Sequence, residues 1–203
     1  MNDKNIRKIY NEIAPGFYHI RQQPLTPELI KLAKTWKPGR LLDIGCGIGN
    51  SLMPFAKAGF DCTGLDISPI MLKYTKKYLN KHNIKAKLRT GNMTRLPFKK
   101  AGFDYVICIA ALHHLDSEKK RLKTLQEIKR ILKKNGTLFF TVWNKPDMYG
   151  KDSYVPWNRQ GRQYQRYYHF FSIKELEALM KRAGINATIY LDKSEKNICV
   201  KAV

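Results

Sequence analysis

Two acids and three glycines early in the chain have the types and spacing to hold a small charged ligand. Asp43 stands just before the loop Gly45-Cys-Gly47-Ile-Gly49. Glycines in such a loop let a ligand approach the backbone, because no Cβ blocks the way. A helix following the loop would add unpaired N–H groups and the positive end of its dipole. The dinucleotide fingerprint Gly-x-Gly-x-x-Gly is broken at its last position, where Asn50 stands. Asp43 also argues against a dinucleotide, since a carboxylate there repels pyrophosphate and attracts an ammonium. Asp66 ends the run Cys62-Thr-Gly-Leu65, about 20 residues past the first glycine, where an acid usually takes ribose hydroxyls. Together the acids ask for a nucleoside that carries an amino acid and no phosphate. S-adenosylmethionine is such a ligand.

A second group of residues suits a larger and more acidic partner. In the stretch 144–171, Trp157, Tyr164 and Tyr167 alternate with Arg159, Arg162 and Arg166. Aromatic rings stack unpaired bases, and guanidinium groups take phosphates or carboxylates bidentately. A connection of this length is too long to be a simple joint. Phe170 and Phe171, beside an amphipathic helix, are expected in the core. His113 and His114 follow the fourth predicted strand, and extended backbone would let only one of them face a pocket. His114 is the expected one. Arg21, just past an N-terminal helix, is placed to meet a carboxylate, either on the cofactor's methionine or on a substrate.

These residues act together only if the fold brings them to one edge. Strands are predicted over 41–44, 62–66, 85–90, 105–110 and 138–143, with helices between them. Ser68 is the expected cap of a helix opening at Pro69. Leu122, Leu125, Ile128, Ile131 and Leu132 give helical spacing over 118–134, with Asn135-Gly136 as the stop. A helix over 173–183 and an antiparallel pair, 187–191 with 198–203, close the chain. Strand–helix alternation implies right-handed crossovers and a parallel sheet with its ligand sites at the strand C-terminal ends. The helix over 6–20 lies outside this plan and is placed to lid the cofactor.

At Asp43, the glycine loop and Asp66 the sequence resembles the class I S-adenosylmethionine-dependent methyltransferases, over nearly all of the chain from Lys37 onward. The resemblance implies an α/β fold: a seven-stranded, mostly parallel Rossmann-like sheet with helices on both faces and an antiparallel terminal hairpin. At 203 residues the chain is expected to be one domain, 1–203, with 1–36 as a helical lid and 144–171 as a substrate connection. Asp43, Gly45, Gly47 and Gly49 would then hold the methionine part of the cofactor and Asp66 the ribose. Asn92 would face the adenine with Met93 packed on the ring, and Ile67 and Ile109 would complete the cofactor site. No metal site is implied.

Four further stretches are similar to one subfamily: Tyr10-Asn-Glu-Ile-Ala-Pro, Ile109-Ala-Ala-Leu-His-His, Val155-Pro-Trp157 and Arg166-Tyr-Tyr-His-Phe. They resemble the tRNA methyltransferases that esterify 5-carboxymethyluridine at the wobble base. That resemblance implies the tRNA anticodon loop as partner, together with a small zinc-binding activator subunit forming a heterodimer. Arg21 and Arg166 become candidate carboxylate clamps, and His114, His169 and Trp157 would orient the flipped base. Arg159, Arg162, Tyr164 and Tyr167 would contact RNA. The competing readings are a small-molecule enzyme of the quinone or sterol type, or a non-catalytic RNA-binding subunit on the same fold.

Bulk properties agree with a polyanionic partner. Among 203 residues, 38 Lys and Arg face 16 Asp and Glu, a formal net charge of +22. Neutralising phosphates with such charge releases counterions, although much of the excess is lysine spread along helices, which also suits a solvated surface. No apolar run is long enough to span a membrane, and the charged N-terminus argues against a signal peptide. Cys46, Cys62, Cys108 and Cys199 show no metal-like pairing and are expected reduced and buried, as in a cytoplasm.

Overall fold

A computed structural model describes residues 3–20, 27–144, 149–159 and 161–203. The described residues form a seven-stranded sheet in the order β3-β2-β1-β4-β5-β9-β8 and a separate β6-β7 hairpin. The strands are β1 Arg40–Ile44, β2 Asp61–Asp66, β3 Lys87–Thr90, β4 Phe103–Ile109, β5 Leu132–Trp143, β6 Asp152–Arg159, β7 Arg162–His169, β8 Ala187–Leu191 and β9 Asn197–Ala202. The helices are α1 Asp3–Ile20, α2 Pro27–Thr35, α3 Leu52–Lys57, α4 Pro69–Lys81, α5 Glu118–Ile131 and α6 Ile173–Arg182. From β3 through β5 all neighbours are parallel, while β9 joins β5 and β8 antiparallel. The expected Rossmann-like architecture and terminal hairpin are therefore present.

Each residue of β1 after Arg40 is buried, as in a strand covered on both faces. Alternate residues feed two cores. Leu42, Ile44, Val106 and Cys108 pack with α5 and α6, whereas Leu41 and Ile107 pack with α1 to α4. Serines set the helix starts: Ser68, Ser117 and Ser172 accept backbone N–H groups from Met71, Lys120 and Glu175. Such a cap is worth about 1 kcal/mol.

The chain runs outward from β1 to β2 and β3, then returns to lay β4 on the other side of β1. That reversal opens a crevice at the strand C-terminal ends, where open α/β sheets bind ligands.

Two elements depart from the sequence reading. Helix α5 stops at Ile131, and β5 begins at once with Leu132 paired to Phe103. Asn135-Gly136 is thus an irregularity inside β5 and not a helix stop. A Cβ at Gly136 would lie 3.0 Å from the Asp104 carbonyl oxygen, so glycine is required by the close approach of β4. The stretch 144–171 contains the β6-β7 hairpin, whose core of Val155, Tyr168 and Phe170 packs with Trp143 and Tyr149. No helix among the described residues is long and apolar enough to cross a membrane.

Candidate active site

A cavity of about 900 Å³ opens at the switch point. The ends of β1, β2, β3 and β4 supply one wall through Gly45, Gly47, Ser51, Asp66, Ile67, Met93 and Ile109. Helix α1 covers it with Asp3, Ile6, Tyr10 and Phe17. His113, His114, Arg166 and Tyr168 close the far end.

The glycine loop is stitched to the neighbouring strand. Gly45 N–H donates to the Leu65 carbonyl (2.7 Å) and Gly47 N–H to Asp66 Oδ2 (3.1 Å). A Cβ at Gly45 would meet Ala111 Cβ at 2.6 Å, and one at Gly49 would meet Thr75 at 2.6 Å. Those two glycines let the loop pack against its neighbours. At Gly47 the nearest atom is 3.7 Å away on the Phe17 ring, so this is the position where backbone meets open space.

Asp66 lies on the cavity, accepting also from Ser68 N–H at 2.9 Å. Burial lifts its carboxyl to about 6, against the lowering effect of the Ser68, Gly47 and Ile67 amides. Asp43 is 0% exposed and stands behind the loop, where the Ser51 hydroxyl donates to its Oδ2. Its Oδ1 has no partner among the described residues. Burial, opposed by the Ser51 bond and aided by the charge of Asp66, raises it to about 7. A carboxylate so poorly satisfied favours a cation brought to the loop. The two acids at the loop are compatible with S-adenosylmethionine, Asp66 lying on the cavity and Asp43 behind its lining.

Asn92 lines the cavity, but its side chain is largely spent. Its Nδ2 donates to Asp3 at 2.7 Å, and its Oδ1 accepts from the Thr94 N–H and hydroxyl at 2.9 Å each. An amide oxygen has two lone pairs, so Asn92 cannot be both donor and acceptor to an adenine. It retains one free N–H only.

At the substrate end, strand alternation sorts the expected residues. Arg162, Tyr164, Arg166 and Tyr168 alternate along one face of β7, and Trp157 pairs directly across from Tyr164. Arg166 is 5% exposed. Its Cζ lies 4.9 Å above the Trp157 ring and 5.2 Å above Tyr168, and its Nη1 donates to the Tyr168 hydroxyl at 2.8 Å. No carboxylate among the described residues pairs with it, and its Nε is buried without a partner among them. Phe17 of α1 stacks on Trp157 at 5.5 Å. Arg162 lies near the hairpin tip, exposed, with Tyr164 half-buried. Arg21 and the side chain of Arg159 lie outside the described residues.

Tyr167 and His169 fall on the opposite face, because strand side chains alternate with period two. The buried His169 places Nδ1 2.8 Å from Asp152 and Nε2 2.8 Å from Glu175, tying the hairpin to α6. The Tyr167 hydroxyl donates to the same Asp152 oxygen. Neither side chain lines the cavity; both are buried and bonded within the hairpin and its join to α6, so neither is presented to a base or to RNA as expected.

Both histidines after β4 reach the cavity, since Leu112–His114 is a 3₁₀ turn and not extended chain. His114 is bonded at both ring nitrogens: Nε2 to the Tyr10 hydroxyl (2.8 Å) and Nδ1 to the Tyr167 carbonyl (2.9 Å). The carbonyl can only accept, so Nδ1 carries the proton and Tyr10 donates to Nε2. Burial lowers His114 to about 4, against the Tyr167 bond and with help from the charge of Arg166. Sequence assigns Ser51 no role, names Tyr10 only within a motif, and sets His113 aside in favour of His114. Tyr10 shares an α1 face with Ile6, Ala14 and Phe17, a periodicity that could have placed it.

A parallel sheet that reverses order, with an acid-flanked glycine loop at the reversal, defines a class I methyltransferase fold. The chain belongs to the methyltransferase-domain family, whose profile matches residues 17–188. It is 28% identical over 209 residues to the Schizosaccharomyces pombe tRNA (carboxymethyluridine(34)-5-O)-methyltransferase, covering 88% of this chain and 87% of that one. It is 28% identical over 164 residues to the Mus musculus "Probable tRNA methyltransferase 9B", covering 78% of this chain and 35% of the relative. The chain spans about a third of the length of that protein and of its human and bovine counterparts. A solved S-adenosylmethionine-dependent methyltransferase from Clostridium acetobutylicum superposes with a TM-score of 0.75 at 14% identity, covering 95% of this chain and 98% of that one. The glycopeptide N-methyltransferase MtfA, solved with (S)-adenosyl-L-methionine, gives 0.69 at 17% identity, covering 90% and 95%. At these identities the structural likeness is one of fold.

Proposed function

We propose that this chain is a tRNA methyltransferase that esterifies the carboxymethyl group of wobble 5-carboxymethyluridine. Its cofactor is S-adenosylmethionine. The observation that carries the reading is Arg166, a buried cation on the cavity with no anionic partner among the described residues. Burying an unpaired charge is costly, and a substrate carboxylate would relieve that cost. A quinone or sterol offers no such group. The similarity to the S. pombe enzyme over most of both chains supports the same substrate class.

The cofactor supplies a sulfonium methyl, which a carboxylate oxygen can take as the C–S bond breaks. A carboxylate is ionised near neutral pH, so the chain need supply no base. His114 fits that requirement: neutral and bonded at both nitrogens, it positions the lid through Tyr10 and does not take up a proton. Arg166 would fix one carboxylate oxygen and leave the other without a cation, so that it keeps a reactive lone pair and catalysis is mainly positioning. The basic-aromatic face of the hairpin, from Arg166 through Tyr164 to Arg162, leads outward for the anticodon loop.

A small zinc-binding activator subunit is proposed to add a strand at β3. This strand is at the sheet edge and largely exposed, leaving backbone groups for pairing. Nucleoside analysis of tRNA from cells lacking the gene tests the reading. The wobble methyl ester should vanish and free 5-carboxymethyluridine accumulate; an unchanged nucleoside profile would overturn it.

A further inference from the structure

On the esterification reading above, we propose that His113 is the second donor to the substrate carboxylate, pairing its Nε2–H with Arg166 so that the site selects a carboxylate over the corresponding amide. The backbone N–H of Trp143 donates to His113 Nδ1 at 3.2 Å. A ring nitrogen that accepts carries no hydrogen, so the neutral ring bears its proton on Nε2. That Nε2 is buried without a partner among the described residues. The residue is 1% exposed and lines the cavity.

His113 and Arg166 share one platform. The His113 ring stacks on Tyr168 at 4.7 Å, and Arg166 lies over the same Tyr168 ring while bonding its hydroxyl. Two buried N–H groups, one neutral and one charged, are therefore left unspent beside the same wall. Native interiors rarely leave such donors open, and a ligand that accepts from both is the economical explanation. His114, the neighbouring ring, has no free nitrogen to offer.

The charge state follows from the surroundings. Burial first, then the charge of Arg166, holds His113 well below the usual histidine range. The cradle thus presents one positive charge and two donors. A carboxylate would be fixed without losing all its nucleophilicity to a second cation. An amide in the same place would turn its own N–H groups toward one of the two donors, a mismatch that buried sites reject strongly.

The test uses two anticodon stem-loops that differ only in carrying 5-carboxymethyluridine or 5-carbamoylmethyluridine, titrated calorimetrically without cofactor. Wild type should bind the carboxylate form at least tenfold more tightly. His113→Phe, which keeps the stack on Tyr168 and removes the donor, should lose most of that discrimination, chiefly by weakening the carboxylate form. His113→Gln, which retains an N–H, should recover part of it. Discrimination intact in His113→Phe would overturn the assignment and leave the esterification reading standing; wild type without discrimination would overturn both. If His113→Phe does not fold, nitrogen-15 spectra of wild-type histidines decide. The Nε2 proton of His113 should shift when the carboxylate stem-loop binds, and an unmoved signal refutes the proposal.

Discussion

Replacing Arg166 with Met should leave the fold intact, or firmer, while crippling methyl transfer. The guanidinium is 5% exposed and meets no carboxylate among the described residues. Removing an ion from water costs several kcal/mol even after relaxation. Against this stand one hydrogen bond to the Tyr168 hydroxyl, about 1.5–3 kcal/mol for a charged donor, and two ring contacts of about 0.5–2 kcal/mol each. These terms nearly cancel, so Met, which fills similar space without charge, should change stability by between zero and about +2 kcal/mol. For a chain of this size that raises the melting midpoint by up to about 8 °C, at roughly 2–4 °C per kcal/mol. The transfer rate should fall on the order of 10²–10³, the usual loss when one electrostatic donor is removed. Denaturant melts and single-turnover transfer to a carboxymethyluridine stem-loop measure both quantities. Destabilisation by more than about 2 kcal/mol with transfer unimpaired would show that Arg166 serves the core and not the substrate.

Other outcomes follow from the same geometry. Asp66→Ala should weaken cofactor binding by about 1.5–3 kcal/mol in calorimetry, and unchanged affinity would remove Asp66 from the ribose site. Because Asp66 and Asp43 are raised to about 6 and 7 while the cofactor's ammonium and hydroxyls favour the ionised acids, binding must displace protons at low pH. Affinity should therefore hold above pH 7 and decline below it, by up to about tenfold per unit for each proton released; a flat profile from pH 8 to 5.5 would contradict the placement. His114, at about 4, should give kcat no step between pH 5.5 and 8, and His114→Asn should keep far more activity than Arg166→Met. Substituting Arg159 and Arg162 should lower the salt slope of tRNA binding, and an unchanged slope would make that charge surface decoration. Purified without an activator the chain should be poorly soluble or bind cofactor weakly, which a monodisperse and fully active lone chain would refute.

The cofactor half was legible because its signals are local. A strand, an acid, glycines and a helix lie within one short run, and the spacing to Asp66 fixes the next strand end. The substrate half depends on geometry that residue types do not reveal. Tyr167 and His169 look equivalent to Arg166 and Tyr168 until the hairpin register is known, and period two then sends them to the other face. His113 and His114 were separated on the assumption of extended chain, but the 3₁₀ turn presents both. Asn135-Gly136 reads as a helix stop in any window, yet β4 needs the missing Cβ at Gly136. Asn92 has the right chemistry for an adenine edge, but Asp3, far away in sequence, and Thr94, two residues on, take all of it except one N–H.

The most direct measurement of the central claim is the chemistry of the transferred methyl group. The chain, with the proposed activator, is incubated with methyl-labelled S-adenosylmethionine and an anticodon stem-loop carrying 5-carboxymethyluridine, and the labelled product is treated with mild alkali. An ester hydrolyses under those conditions, whereas a methyl group on nitrogen, on carbon or on ribose oxygen does not. The account predicts label on the wobble uridine that alkali releases as methanol, restoring free 5-carboxymethyluridine. Label that survives alkali would contradict it.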